Sequence, residues 1–152
     1  MRRPYVIGLI GLAVVLFLFV SALLARGFSV SGARDSAITD LVKAEARGDP
    51  DGVIALISGC RTDPACRARA TGNATALKRP GSVSIIQITP TSGFSVTGSV
   101  GTERAAWLVG SSLPRVQCVR VRESGNLLEG FTIHLLQVSA RIKTNRDCPS
   151  HF

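Results

Sequence analysis

Arg79-Pro80-Gly81, followed by Ser82-Val83-Ser84-Ile85-Ile86-Gln87-Ile88-Thr89, is the point at which the periodicity of this chain changes. Proline removes a backbone donor and glycine admits conformations closed to other residues, so the pair ends whatever precedes it. Before it, apolar residues recur every three or four positions, as on a helix. After it, compact β-branched runs and alternation by two take over, as on strands. The chain is therefore expected to be α+β, with its helices first.

Upstream, a helical pattern begins near Ala33, with Ile38, Leu41, Val42 and Glu45 at spacings of three and four. Gly48 is placed to end it in a left-handed cap. Asp49-Pro50 and Asp63-Pro64 each offer an N-cap acceptor followed by proline at the first helical position, where the missing N–H costs nothing. The first opens a helix from Pro50 to Ser58 that buries Val53, Ile54, Leu56 and Ile57. The second opens a weakly hydrophobic helix to about Lys78, with Ala70, Ala74 and Leu77 on one side.

Downstream, Ser82–Thr89 is followed by alternation from Phe94 to Val100 that resumes through Ala105, Trp107 and Val109. Val116–Glu123 puts Val119 and Val121 on one face and Arg120 and Arg122 on the other. Ser124-Gly125-Asn126 reads as a turn, and Phe131–Lys143 as a long closing strand. Four strands at hairpin spacing predict an antiparallel meander, one face of which the helices must cover.

Further out, Val6–Ala25 is an unbroken uncharged run of 20 residues behind Met1-Arg2-Arg3. As a helix it is about 30 Å long, the thickness of a bilayer's hydrocarbon core. Its length favours a retained anchor (residues 1–26) over a cleaved signal peptide, for which Val20-Ser21-Ala22 would be the cut. Residues 27–33 read as a short stalk, 34–148 as one domain of ordinary size and 149–152 as a tail. Positive charge flanks both ends of the run and orients it only weakly. Four cysteines, all beyond it, suit an oxidising compartment, and so place the N-terminus inside and the domain outside the cytoplasmic membrane.

Across the chain, 18 Lys+Arg stand against 10 Asp+Glu. Without Arg2, Arg3 and Arg26 the domain still carries an excess of about five positive charges. Such a surface favours anionic partners at the envelope, whether a protein or a charged surface. Nucleic acid is disfavoured by location and by the scarcity of aromatics, with one Trp and one Tyr.

The order of two to three helices and then a four-stranded meander, over residues 34–143, resembles the cystatin-like, ketosteroid-isomerase-like cone fold of the nuclear-transport-factor-like superfamily. Membrane-anchored members with one N-terminal span are common in actinobacteria, some as accessory proteins of lipid import. The resemblance implies a bent sheet around the helices and a cone-shaped cavity, which some members leave open for small apolar ligands and others fill. Isomerases of this type use a tyrosine inside the cone. Here the only tyrosine is Tyr5, in the apolar run, so that chemistry has no carrier.

Candidate chemistry is sparse. A histidine can serve as a general base or a ligand, but His134, between Ile133 and Leu135, lacks an acidic partner in its strand. Gln117, Val119, Val121, His134 and Leu136 form the candidate pocket wall. Gln87, Gln117 and Gln137 fall on three different strands and could all point into the cone, although solvent-facing positions are more common for glutamine. Arg120 and Arg122 form the candidate docking surface. Nucleophile-elbow, Walker and dinucleotide patterns are absent. Asn73-Ala74-Thr75 matches a glycosylation sequon of a kind frequent by chance.

Cys60 and Cys66 are separated by five residues and Cys118 and Cys148 by 29, neither of which is zinc-ligand spacing, so no metal is expected. The chain must reverse between Cys60, behind the Gly59 helix stop, and Cys66, in the next helix's first turn. That favours Cys60–Cys66 and leaves Cys118–Cys148, over the two other pairings. The expectation is a non-catalytic, single-pass accessory or interaction domain without cofactor. A carrier or sensor of a small apolar molecule is the alternative, and an enzyme comes third.

Overall fold

The computed structural model describes residues 3–90, 98–126, 130–143, 148–149 and 152. Three helices, α1 (Arg3–Arg47), α2 (Pro50–Leu56) and α3 (Pro64–Leu77), precede four strands: β1 (Val83–Pro90), β2 (Ser99–Val109), β3 (Arg115–Asn126) and β4 (Gly130–Val138). The strands form one antiparallel sheet in the order β1-β2-β3-β4. The α+β class and the meander are as the periodicity predicts.

Both proline-led helices start as their sequences require. The Asp49 carboxylate accepts from the Gly52 amide at 2.9 Å, and that of Asp63 from the Ala65 amide at 2.8 Å. Gly48 closes α1 with φ +71°, where a side chain would meet the stem of Lys78.

The expected stalk is different. The backbone stays helical through residues 27–33, so α1 is a single helix of 45 residues, about 68 Å long. A glycine inside a helix costs about 1 kcal/mol, whereas ending and renucleating a helix costs more, so two helical flanks carry the weak segment between them. The first half of α1 is long and apolar enough to cross a bilayer, and none of its most apolar window is buried by the domain. Leu9, Phe17 and Leu24 are 68 %, 70 % and 59 % exposed.

The second half of α1 lies on the sheet. Its stripe Ile38, Leu41, Val42 and Glu45 is fully buried with Val53, Ile57, Ala70 and Leu77 against Ala105, Trp107, Val109, Val119, Val121, Leu135 and Val138. α2 ends at Leu56, before the expected Ser58. Ile57 then leaves the helix to bridge Leu135 in parallel, and the Ser58 amide donates to the Leu135 carbonyl at 2.8 Å. This covers the outer edge of β4. Leu56 is an exposed residue, not the core residue expected.

Two strand boundaries also depart from the reading. β3 runs through Ser124, Gly125 and Asn126, because Gly125 has no Cβ; one would sit 2.1 Å from the Gly130 carbonyl oxygen. The expected closing strand stops at Val138, although Ile142 still bridges Val116. The register slips between Arg120 and Val121, so Leu136 opposes no residue on β3.

Candidate functional site

The two faces of the sheet carry different chemistry. On the inner face, β2 turns in Glu103, Ala105, Trp107 and Val109, and β3 turns in Gln117, Val119, Val121 and Glu123. Gln117, Val119 and Val121 are at most 2 % exposed and pack directly under α1. They belong to a filled interior and do not line a cavity. His134 and Leu136 are not with them. The β3–β4 bulge advances the alternation by one, which turns Leu135 and Val138 inward and His134 and Leu136 to the other side.

The filled interior contains two polar constellations that sequence reasoning missed. In the first, Glu45 of α1 is completely buried and accepts from Asn73 Nδ2 of α3 at 2.8 Å and from Gln117 Nε2 of β3 at 3.2 Å. Both amides also donate to the Ser139 carbonyl, at 2.9 and 3.2 Å. Gln117 Oε1 accepts from the Trp107 indole at 2.9 Å. Ser139 Oγ accepts from the Cys118 amide at 2.9 Å. α1, α3, β2, β3 and the segment after β4 thus meet at one network. Both donors reach the same Glu45 oxygen, and Oε2 has no partner among the described residues. Burial pushes the Glu45 carboxyl up to about 7, and the two amides pull it back only in part.

In the second constellation, Arg34 of α1 reaches Glu123 on β3 and Glu103 on β2, the latter at 3.4 Å. Ser99 Oγ donates to Glu123 at 3.3 Å. Burial raises the Glu103 carboxyl, Arg34 lowers it, and the neighbouring Glu123 and Asp35 raise it. Two carboxylates share one guanidinium, so the site holds the helix to the sheet with an excess of negative charge. The sequence does carry a signal for these residues. Glu45 falls in the apolar stripe of α1, and Glu103 and Glu123 fall in phase with Trp107 and with Val119 and Val121.

The outer face is open and basic. Arg120 and Arg122 lie on it beside Val100, Leu136 and Gln137, around a shallow depression of about 300 Å³. Arg122 stands opposite Val100 on one side and His134 on the other. Gln87 and Gln137 are exposed, in contrast to Gln117. Asp40 is exposed while Glu45 is buried, so the two acids do not meet. Glu129 and Asp147, the acids nearest His134 in sequence, and His151 lie outside the described residues. Among the described residues, no three His, Cys, Asp or Glu side chains come close enough to hold a metal ion.

Both disulfides pair as the sequence suggests. Cys60–Cys66 closes the α2–α3 turn with Cα atoms 5.2 Å apart, and Cys118–Cys148 ties the C-terminal segment to β3 at 5.7 Å. The first borders a groove of about 290 Å³ against Leu136, Gln137 and Val138. No protein-family model matches the chain, and no curated protein or solved structure shows significant similarity to it.

Proposed function

We propose that this chain is a non-catalytic, single-pass membrane protein whose domain stands outside the cytoplasmic membrane as an accessory or interaction module of the cell envelope. The observation that carries the reading is the filled interior. Val119 and Val121, which would wall a ligand cavity in a cone fold, are at most 2 % exposed and packed with Trp107 in the core against α1. What the domain offers a partner is its outside. The uncovered apolar half of α1 supports the anchor, because so large an exposed apolar surface needs lipid or protein around it. Two disulfides support an oxidising exterior. The order of helices and meander agrees with a cystatin-like cone whose interior is closed.

Arg120 and Arg122, with Val100 and Leu136 beside them, supply a basic patch with an apolar floor for an acidic envelope partner. A photo-crosslinking residue in place of Val100 in the full chain, expressed in its membrane, tests this. A discrete adduct is expected that disappears with Arg120→Glu and Arg122→Glu. Reporters active only in the exterior compartment, fused after Phe152, should give signal in the membrane fraction. A soluble product beginning near Leu23, or saturable binding of an apolar dye that leaves the adduct unaffected, would overturn the reading.

A further inference from the structure

α1 passes without a break from the apolar run into the domain, so it fixes how far the sheet stands from that run. Two contacts set the helix against the sheet. Arg34 reaches Glu123 of β3, and Glu45 accepts from Gln117 of the same strand. From Arg34 to Glu45 the helix climbs about 16 Å away from the apolar run. From Glu123 back to Gln117 the strand covers about 20 Å in the same direction. α1 and β3 are therefore antiparallel at a shallow angle, and β3 descends toward the apolar run as it lengthens.

The descent can be followed to its end. Ala25 closes the apolar run nine residues before Arg34, about 14 Å lower on the helix. Glu123 stands at the level of Arg34. Beyond it β3 continues through Ser124, Gly125 and Asn126, which lowers the strand by about 8 Å once the angle is allowed for. The end of the β3–β4 hairpin, where Asn126 faces Gly130, thus stands about 6 Å above the level of Ala25. The headgroup layer on each side of a bilayer's hydrocarbon core is about 5–7 Å deep. The side chains change character over the same distance. Ile133 still packs against the core, whereas Phe131, two residues lower on the same face, is a half-buried ring at the membrane-facing end of β4. Opposite it is Gly125, which has no side chain to cover it.

We propose that the end of the β3–β4 hairpin rests in the headgroup layer of the bilayer, with Phe131 as its apolar contact. This seat rests on the anchor being retained, and the anchor also names the occupant. A span that leaves the membrane as an unbroken helix brings the lipid surface to the hairpin, and burial of an aromatic ring there is favourable. The domain is then supported at two points, the helix and the hairpin. Two supports restrict its tilt and so hold the outer face, with Arg120 and Arg122, at a set angle to the membrane.

Trp107, the only tryptophan, is a built-in control, because its partner Arg115 lies about 26 Å along β3 from Glu123, away from the membrane. The full chain is reconstituted in phosphatidylcholine vesicles, a fraction of whose lipids carry a nitroxide quencher on the choline group. The parent should emit as it does in unlabelled vesicles. Phe131→Trp should lose emission to the quencher, and so should Thr132→Trp, which places the probe at an exposed neighbouring position. Leu113→Trp, 80 % exposed in the β2–β3 turn at the far end, should lose none. Emission from the residue 131 and 132 variants that is unchanged by the quencher, in a chain that floats with the vesicles, would overturn the proposal and leave the anchor standing. Equal quenching of Leu113→Trp would overturn it too, since the domain would then lie on its side. A chain that does not float with the vesicles would remove the anchor and this seat together.

Discussion

Replacing Glu45 with glutamine should change how the stability of this domain depends on pH. Glu45 is fully buried, with two amide donors on one oxygen and none on the other. Its carboxyl is raised from 4.5 to about 7 in the folded chain. Between those values the folded state keeps a proton that the unfolded chain has released. Stability therefore falls as pH rises through this window, and is constant in this respect below 4.5 and above 7. At 1.36 kcal/mol per unit, the loss attributable to Glu45 is about 3 kcal/mol. Glutamine cannot ionise and keeps an oxygen for Asn73 and Gln117, so this part of the slope should vanish. Glu103, also raised by burial, leaves a smaller slope of the same sign. Denaturant unfolding at half-unit steps from pH 4.5 to 8, followed by Trp107 fluorescence, measures the effect. Parallel curves for the parent and Glu45→Gln would refute the reasoning, as would a parent that gains stability toward pH 7.

Arg34→Met should cost about 3–5 kcal/mol, because it leaves Glu103 and Glu123 buried without their counter-ion, and adding Glu103→Gln should recover a large part in the same unfolding assay. Removing Cys118–Cys148 should cost about 4 kcal/mol and removing Cys60–Cys66 about 2, since the chain-entropy cost grows with the size of the closed loop; thermal unfolding of the two double-serine variants compares them. His134→Ala should change stability by less than about 1 kcal/mol and leave the Val100 adduct in place, because His134 lies on the outer face away from the core; loss of the adduct in a normally folded variant would assign that histidine a binding role.

Local chemistry is what this sequence states by itself. The N-caps at Asp49 and Asp63, the left-handed stop at Gly48 and the change of period at Pro80-Gly81 all act within a few residues. Each therefore appears in the fold where the sequence puts it. The apolar run before the domain is legible for the same reason, as is the short Cys60–Cys66 loop, which the Gly59 stop and the next helix bring together. The alternation of β3 correctly separates Gln117, Val119 and Val121 from Arg120 and Arg122.

The rest depended on partners far apart in the chain. A one-residue slip between Arg120 and Val121 exists only when β4 is laid against β3, and it moved His134 and Leu136 off the face shared with Val119. Whether residues 27–33 bend or stay helical depends on the helices at both ends, not on their own glycines. Glu45, Glu103 and Glu123 sat in core positions of the pattern, but a carboxylate is tolerated there only if another element brings Asn73, Gln117 or Arg34 to it.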